Sequence, residues 1–309
     1  MTRKPGTITT AVLLLAAAPA LLVRQAPVPA TRPAPPTTRS RPKPAEYPPK
    51  RLVEAAERAA KEMLGRTGPG FRAVVRPPFV VIGNLPAGEI RRLAAGSVVR
   101  PARAMWRSHF RRRPTDVITV LLFRDAKTYQ AGARKLFGDT DVPYFGYYRP
   151  ARRALVMNIA TGTGTLVHEL THALIAYDFP SVPTWFNEGL ASLHEQCTVS
   201  EDGIVGAVNW RLPALQKAIR AKTLRPLGEL IARDDFYGRL RGLNYAQARY
   251  FVMYMQEKRL LRGFYRRFRS THAKPGAAVG AIEAVFGKRL KEVEAEYLKW
   301  ALTLRWPRR

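Results

Sequence analysis

One helix-length stretch constrains the fold of this chain more than any other feature. Residues 165–178 (TLVHELTHALIAYD) carry apolar side chains on nearly every face of a predicted helix. A helix of this kind is stable only when it is buried. It also contains His168, Glu169 and His172, and buried imidazoles and carboxylates need partners. The fold must therefore surround this helix and supply groups that satisfy its polar side chains.

The two histidines have the spacing of paired metal ligands. His168 and His172 are four residues apart, so on a helix they lie one turn apart and about 40° around the axis. Both can bind one tetrahedral ion, and this donor type favours zinc. Glu169 can reach a water on such an ion from the side and act as general base. The alternative, an amphipathic helix with solvent-facing polar residues, conflicts with the nearly continuous apolar surface.

A third protein ligand must come from outside this motif. Asp178 lies six residues after the second histidine, where metzincin-type motifs place a ligand, but those motifs need glycine at the position of Ile175. We therefore expect Asp178 to be a surface or helix-end residue. Glu188 follows a turn at 180–183 and lies on a second, antiparallel helix, so it is the predicted third ligand. Glu195, two turns later on the same face, is the reserve candidate.

The remaining pattern predicts an α+β fold. A small mixed sheet with helices (51–178) precedes an all-helical half (179–309), and the histidine-bearing helix lies at the junction. The first half should contain a helix from 51, a strand or hairpin at 71–84, a helix at about 87–110, a strand at 117–123, a helix at 126–137, and turns followed by a strand within 144–159. The second half should contain helices at 184–196, 211–221, 244–259, 260–271, 277–285 and 288–304, with a small hairpin around 201–203.

The N-terminal part has the composition of a targeting segment and a linker. Residues 11–23 form an apolar run that is shorter than the roughly 20 residues of a membrane-spanning helix, which predicts a signal peptide or an N-terminal anchor. Residues 24–50 are rich in proline and basic side chains and predict an extended tether. We expect export, with the apolar run either removed or retained at the membrane. Cys197, the single cysteine, cannot form an internal disulfide.

The charge balance raises a separate question of partners. The chain has 52 Lys and Arg against 23 Asp and Glu, a net charge of +29. Such a surface attracts an anionic envelope polymer or an anionic lipid surface. The basic residues are scattered in short runs, however, and a compositional bias toward arginine explains this scatter without any ligand. Nucleic acid is not an expected partner, because no nucleic-acid-binding motif accompanies the charge.

Two motifs resemble those of a known enzyme superfamily. HELTH at 168–172 and PTWFNEGLA at 183–191 are similar to the zinc motifs of the gluzincin metallopeptidases, and in particular of the aminopeptidase-like peptidase MA group. A softer pattern extends the resemblance over about 78–304. It implies a thermolysin-like first half, one zinc ion and hydrolysis of a peptide or protein substrate.

The resemblance also implies roles for three further features. Tyr245 matches a tyrosine that hydrogen-bonds the oxyanion, although it could simply pack at the start of its helix. Asn187 matches a residue that supports a zinc ligand, although it could instead face solvent. The strand 154–160 is expected to offer its edge to an extended peptide. No glutamate motif for a substrate's free amine precedes the metal helix, so the resemblance does not extend to exopeptidase activity.

The leading prediction is an exported zinc peptidase, with a metal site formed by His168, His172 and Glu188. The alternatives are a zinc-containing envelope protein with lost or altered activity and a polyanion-binding module. His109, His194 and His272 are expected to be surface or packed histidines, and His194 lies close enough in sequence to contact substrate.

Overall fold

A five-stranded mixed sheet forms the centre of the first half of the fold. The computed structural model describes residues 47–306, and the strands are β1 (Arg72–Arg76), β2 (Phe79–Gly83), β3 (Ile118–Phe123), β4 (Gly146–Arg149) and β5 (Ala154–Asn158). Their order is β1-β2-β3-β5-β4. Strands β2, β3 and β5 are parallel, whereas β1 and β4 run antiparallel to their neighbours. The predicted α+β class and mixed sheet are confirmed.

The outer strand β4 is the main departure from the prediction. The sequence predicted turns in this region and a free sheet edge along 154–160. Strand β5 instead lies between β3 and β4, because a short turn at 150–152 and the left-handed backbone of Arg153 (φ 47°) fold β4 back onto it. The prediction that β5 forms the free edge is therefore wrong. The free edge on this side of the sheet belongs to β4.

Four helices flank the strands of the first half. They are α1 (Lys50–Thr67), α2 (Ala87–Leu93), α3 (Arg100–Ser108) and α4 (Ala126–Phe137). Helix α4 has the predicted bounds because Asp125 caps its first turn, accepting from the Thr128 backbone N–H at 2.8 Å, and Gly138 ends it with φ 76°. A π-helical turn at Ala94–Val99 joins α2 to α3, so the predicted long helix is continuous but locally wider.

The second half is helical, with one small hairpin. Helix α5 (Gly164–Asp178) precedes it at the junction, and its own elements are α6 (Thr184–His194), β6 (Cys197–Val199), β7 (Ile204–Gly206), α7 (Leu212–Arg220), α8 (Leu227–Ala232), α9 (Arg241–Glu257), α10 (Leu261–Thr271), α11 (Ala277–Phe286) and α12 (Leu290–Thr303). The short helix α8 was not predicted. The hairpin at 201–203 and the other helices agree with the sequence pattern to within a few residues.

The hydrophobic core joins the two halves around α5. One sheet face packs against α1 and α4, and the other contributes to a larger core that includes α5, α6 and the later helices. Helices α6 and α9 approach most closely at Gly189, where a Cβ atom would lie 3.0 Å from the Ala248 carbonyl oxygen. The helix that carries the histidines is therefore surrounded by protein, as its apolar surface requires.

The predicted N-terminal segments fall outside this description. The apolar run at 11–23 and nearly all of the linker at 24–50 precede residue 47. Among the described residues, none of the helices combines the length and apolarity needed to span a bilayer.

Candidate metal centre

Helices α5 and α6 bring the three predicted metal ligands together. The Nε2 atoms of His168 and His172 are 3.0 Å apart. Glu188 Oε2 lies 3.3 Å from the first and 3.5 Å from the second. The proline-flanked turn between the helices reverses the chain, so the carboxylate on α6 faces the imidazoles on α5. These three residues form a group that could hold a metal ion.

The spacing and chemistry of this group fit a tetrahedral zinc ion. Nitrogen and oxygen ligands bind zinc at about 2.0–2.1 Å, so two ligands at a tetrahedral angle are about 3.3–3.4 Å from each other. The observed separations of 3.0, 3.3 and 3.5 Å lie close to that value. Glu188 Oε2 is also buried without an aligned hydrogen-bond donor. A buried carboxylate oxygen in this state needs a partner, and a metal ion held by the three residues would supply one.

The electrostatics of the group show how strongly the ligands interact. Burial lowers the pKa of His168, but Glu188 and Glu195 outweigh burial and raise this pKa to about 10. Burial raises the pKa of Glu188, but the two imidazoles outweigh it and hold this pKa well below its ordinary value. Without a metal, His168 therefore carries a proton at neutral pH. Metal binding must displace that proton, so metal affinity should increase with pH.

Each imidazole is oriented through its other nitrogen. His172 Nδ1 lies 2.9 Å from Asn187 Oδ1, which is the supporting position that the resemblance implied. His168 Nδ1 lies 3.1 Å from Glu195 Oε1, and Arg211 binds the same oxygen at 2.9 Å. Glu195, the reserve ligand, is therefore outside the three-residue group and behind His168. Contacts of this kind fix which nitrogen of an imidazole faces a metal.

Two tyrosines approach Glu188 from the helical half. The Tyr237 hydroxyl donates to Glu188 Oε1 at 2.6 Å, a contact that the sequence did not predict. Tyr245 lines the same cavity as His168, one turn into α9 rather than at its start. Burial, and then the Glu188 charge, raise the Tyr245 pKa well above its ordinary value. Tyr245 is thus a neutral phenol that can donate a hydrogen bond.

The predicted general base lies at the free edge of the sheet. Glu169 Oε2 accepts a hydrogen bond of 2.9 Å from the Tyr148 backbone N–H. Because Tyr148 belongs to β4, this N–H points away from β5 and toward α5. The contact holds the Glu169 carboxylate beside the edge strand and occupies the Tyr148 N–H, one of the outward backbone groups of that strand. This contact was not predicted, since β4 was not predicted as a strand.

Asp178 has a structural role at the far end of α5. It is the last residue of the helix, as expected, but it is buried rather than on the surface. Its carboxylate accepts hydrogen bonds from the backbone N–H groups of Arg111 and Arg112, the Tyr265 hydroxyl and the Arg269 guanidinium. Of the two predicted locations, surface or helix end, the structure shows the helix end, and four donors compensate the buried charge. Asp178 does not belong to the metal-ligand group.

The other histidines lie outside the ligand group. His194 is fully buried, with Nδ1 2.9 Å from the Thr171 hydroxyl, and its ring stacks on that of His109 at 5.7 Å. His272 contacts Ser181 near the surface. Burial, and then Arg262, lower the pKa of His109 to about 4, so this imidazole is neutral at pH 7. His109 and His194 are packed histidines, as predicted.

A cavity of about 770 Å³, which we call the metal cavity, lies beside the metal-ligand group. Its walls include His168, Glu169, Glu195, Tyr245 and Gly146 of β4. The cavity therefore combines one of the three predicted metal ligands with the Glu169 carboxylate, the Tyr245 phenol and a residue of the edge strand. No protein-family model matches this chain, and no curated protein matches its sequence.

Proposed function

We propose that this chain is a zinc-dependent peptidase. One observation carries the proposal: the two imidazoles and Glu188 converge within 3.0–3.5 Å of one another, with Glu169 on the adjacent position of the same helix. Three protein ligands leave one zinc position open, which is typical of catalytic rather than structural zinc sites. The proposal agrees with the resemblance of the sequence to gluzincin peptidases.

The ligand set determines the proposed metal. Two neutral imidazoles and one carboxylate suit zinc better than calcium or magnesium, which prefer oxygen ligands. His168, His172 and Glu188 would hold the ion. When bound, zinc supplies Lewis-acid chemistry, polarising a carbonyl group and lowering the pKa of a coordinated water.

Glu169 is the proposed proton carrier. Its carboxylate accepts a proton from the attacking water as the new C–O bond forms, and then donates that proton to the amide nitrogen as the C–N bond breaks. The Tyr148 N–H, 2.9 Å from Oε2, orients the carboxylate. Tyr245 is the proposed donor to the oxyanion, because its raised pKa keeps the phenol protonated.

Strand β4 is the proposed binding site for the peptide. An extended chain can add to its free edge as a further antiparallel or parallel strand. Gly146 is the part of β4 that lines the cavity, and its φ of 145° is unfavourable for any other residue. A Cβ atom there would also lie 2.5 Å from the Met157 side chain. Substrate would therefore contact backbone groups at this position.

The substitution Glu169→Gln tests the proposal. Removing the proton carrier should lower the rate of peptide hydrolysis by about 10²–10⁴-fold, because that is the typical contribution of a general base. The zinc content should remain unchanged, since Glu169 is not a proposed ligand. Turnover of a fluorescence-quenched protein substrate and metal analysis measure the two quantities.

A matched variant controls for the loss of a carboxylate. Glu57→Gln changes an exposed residue of α1 and should preserve both turnover and zinc. Equal, non-zero turnover in Glu169→Gln and the wild type would exclude the proposed role. Zinc binding by a wild-type protein that hydrolyses no peptide would favour the alternative of an envelope protein with lost or altered activity.

A further inference from the structure

Five arginines cluster on one face of the first half, and we call them the arginine face. Arg100, Arg103 and Arg107 lie on one side of α3, while Arg76 ends β1 and Arg113 follows α3. All five are exposed. They line two depressions that share Arg76, Arg103 and Arg107, so the depressions form one continuous surface. The five arginines therefore line the same surface.

The positive charge of the arginine face is not compensated within the described chain. None of the five arginines forms an ion pair with a described acidic residue. Arg100 and Arg107 instead donate to the carbonyl oxygens of Val199 and Ser200 in the β6–β7 hairpin. Glu201 is the sole acidic residue among those described as lining the two depressions. Like charges held together in this way are repulsive until an anion from outside the chain neutralises them.

The path of the chain indicates which anion this surface meets. Tyr47, the first described residue, lies in the arginine face, with the Arg113 guanidinium 4.9 Å from its ring centre. The segment before it contains a basic, proline-rich stretch and the apolar run at 11–23. Basic groups next to a membrane-directed segment are attracted to anionic lipid headgroups, at about 1 kcal/mol for each lysine or arginine.

We propose that the arginine face docks on an anionic lipid bilayer. The 23 residues between the apolar run and Tyr47 can span at most about 80 Å, so a bilayer that held the apolar run would be within reach of the face. The π-helical turn before α3 also lines the metal cavity, through Gly96 and Ser97. Docking would therefore hold the metal cavity beside the membrane surface.

Vesicle binding by the full-length chain tests the proposal. The probes are vesicles of phosphatidylcholine alone and vesicles that also contain phosphatidylglycerol. The apolar run can bind both kinds, so the informative quantity is the gain in binding produced by the anionic lipid. We expect a large gain for the wild type, and a decrease of this gain as salt concentration increases.

Two triple variants locate the interaction. The first variant replaces three arginines of α3 (Arg100→Gln, Arg103→Gln and Arg107→Gln). It should lower binding to anionic vesicles by on the order of 100-fold, as three arginine contacts predict. The control variant replaces three exposed arginines of α10 (Arg262→Gln, Arg266→Gln and Arg267→Gln), which changes the net charge by the same amount. Residues of α10 line neither depression, so this variant should have a much smaller effect. Thermal unfolding of both variants confirms that they are folded.

Three outcomes would overturn the proposal. The first is a wild-type chain that gains nothing from phosphatidylglycerol. The second is an equal loss of binding in the two triple variants, which would indicate a general effect of net charge. The third is tight binding of a soluble polyanion through the α3 arginines without any gain on anionic vesicles. That outcome would assign the face to a polymer instead of a bilayer.

Discussion

The metal site and the arginine face differ in whether their charged groups have partners of opposite charge. At the metal site, Glu188 faces two imidazoles and a phenol, and Glu195 faces His168 and Arg211. On the arginine face, five exposed cations lack an acidic partner within the described chain. Compensated charges inside a protein hold a geometry, whereas uncompensated charges outside it attract a partner. Substitutions should therefore have large effects in the interior and small effects on stability at the face.

The largest expected effect is the loss of zinc on replacing a ligand. His172→Ala leaves two of the three converging ligands, so the purified protein should contain zinc only at background level after dialysis. Metal analysis measures this. His272→Ala removes an imidazole outside the ligand group and should retain the wild-type zinc content. A His172→Ala protein that retained zinc as well would contradict the assignment of the site.

Removing the buried charge of Asp178 should cost the most stability. Asp178→Ala leaves four donors without their acceptor, including a guanidinium, and should lower the free energy of unfolding by about 3–5 kcal/mol. Glu54→Ala, which breaks an exposed pair with Lys50, should change it by less than about 1 kcal/mol. Urea unfolding measures the free energy of unfolding of both variants. Similar losses would remove the proposed contrast between interior and surface.

Acid should destabilise the protein through His109. Its pKa is about 4 in the folded state and about 6.5 in the unfolded chain, so the unfolded state binds the proton first as pH falls. The neutral imidazole therefore contributes stability that is fully present above pH 6.5 and is lost between about pH 6.5 and 4. This loss is about 3 kcal/mol.

Unfolding measured across this pH range checks the prediction for His109. His109→Phe should reduce the pH dependence, and buried His194, whose pKa is also lowered, should account for part of the remainder. An unchanged pH dependence in His109→Phe would show that other groups cause the acid sensitivity.

Supporting residues should have intermediate effects on zinc. Asn187→Ala removes the acceptor for His172 Nδ1 and should weaken zinc affinity by about 10–100-fold. Competition with a zinc chelator measures the affinity. Gln130→Ala, at an exposed position of α4, is the control. Equal zinc affinity in the wild type and Asn187→Ala would mean that the ring of His172 is oriented by packing alone.

The smallest effect is expected on the arginine face. Arg103→Gln alone should change the free energy of unfolding by less than about 0.5 kcal/mol, because exposed substitutions rarely do more. Slight stabilisation is the expected direction, since like charges surround Arg103. Thermal unfolding at low salt gives the greatest sensitivity. A marked loss of stability would show that this arginine supports the fold and would weaken its proposed role in docking.

Sequence reasoning was most successful where local physics decides the structure. Helix α4 could be bounded because Asp125 and Gly138 are strong capping residues, and α5 could be assigned to the interior from its apolar surface. Glu188 could be selected by the length of the turn after α5. These signals depend on only a few neighbouring residues.

The remainder depends on contacts between distant segments. Strand β4 is short and lacks alternating apolar residues, so only its pairing with β5 identifies it. Glu195 was too far along α6 to join the ligands, but His168 has a second nitrogen that faces it. Tyr237 follows α8 in an irregular connection, and nothing in its local sequence indicates a contact with Glu188.

The close approach of α6 and α9 at Gly189 has a consequence for fragments of this protein. Glu188 is carried on a helix whose position is set by backbone contact with Ala248, far later in the chain. A product truncated before α9 would contain every ligand yet lack the surface that aligns them. Metal uptake can thus report whether the carboxy-terminal helices have assembled.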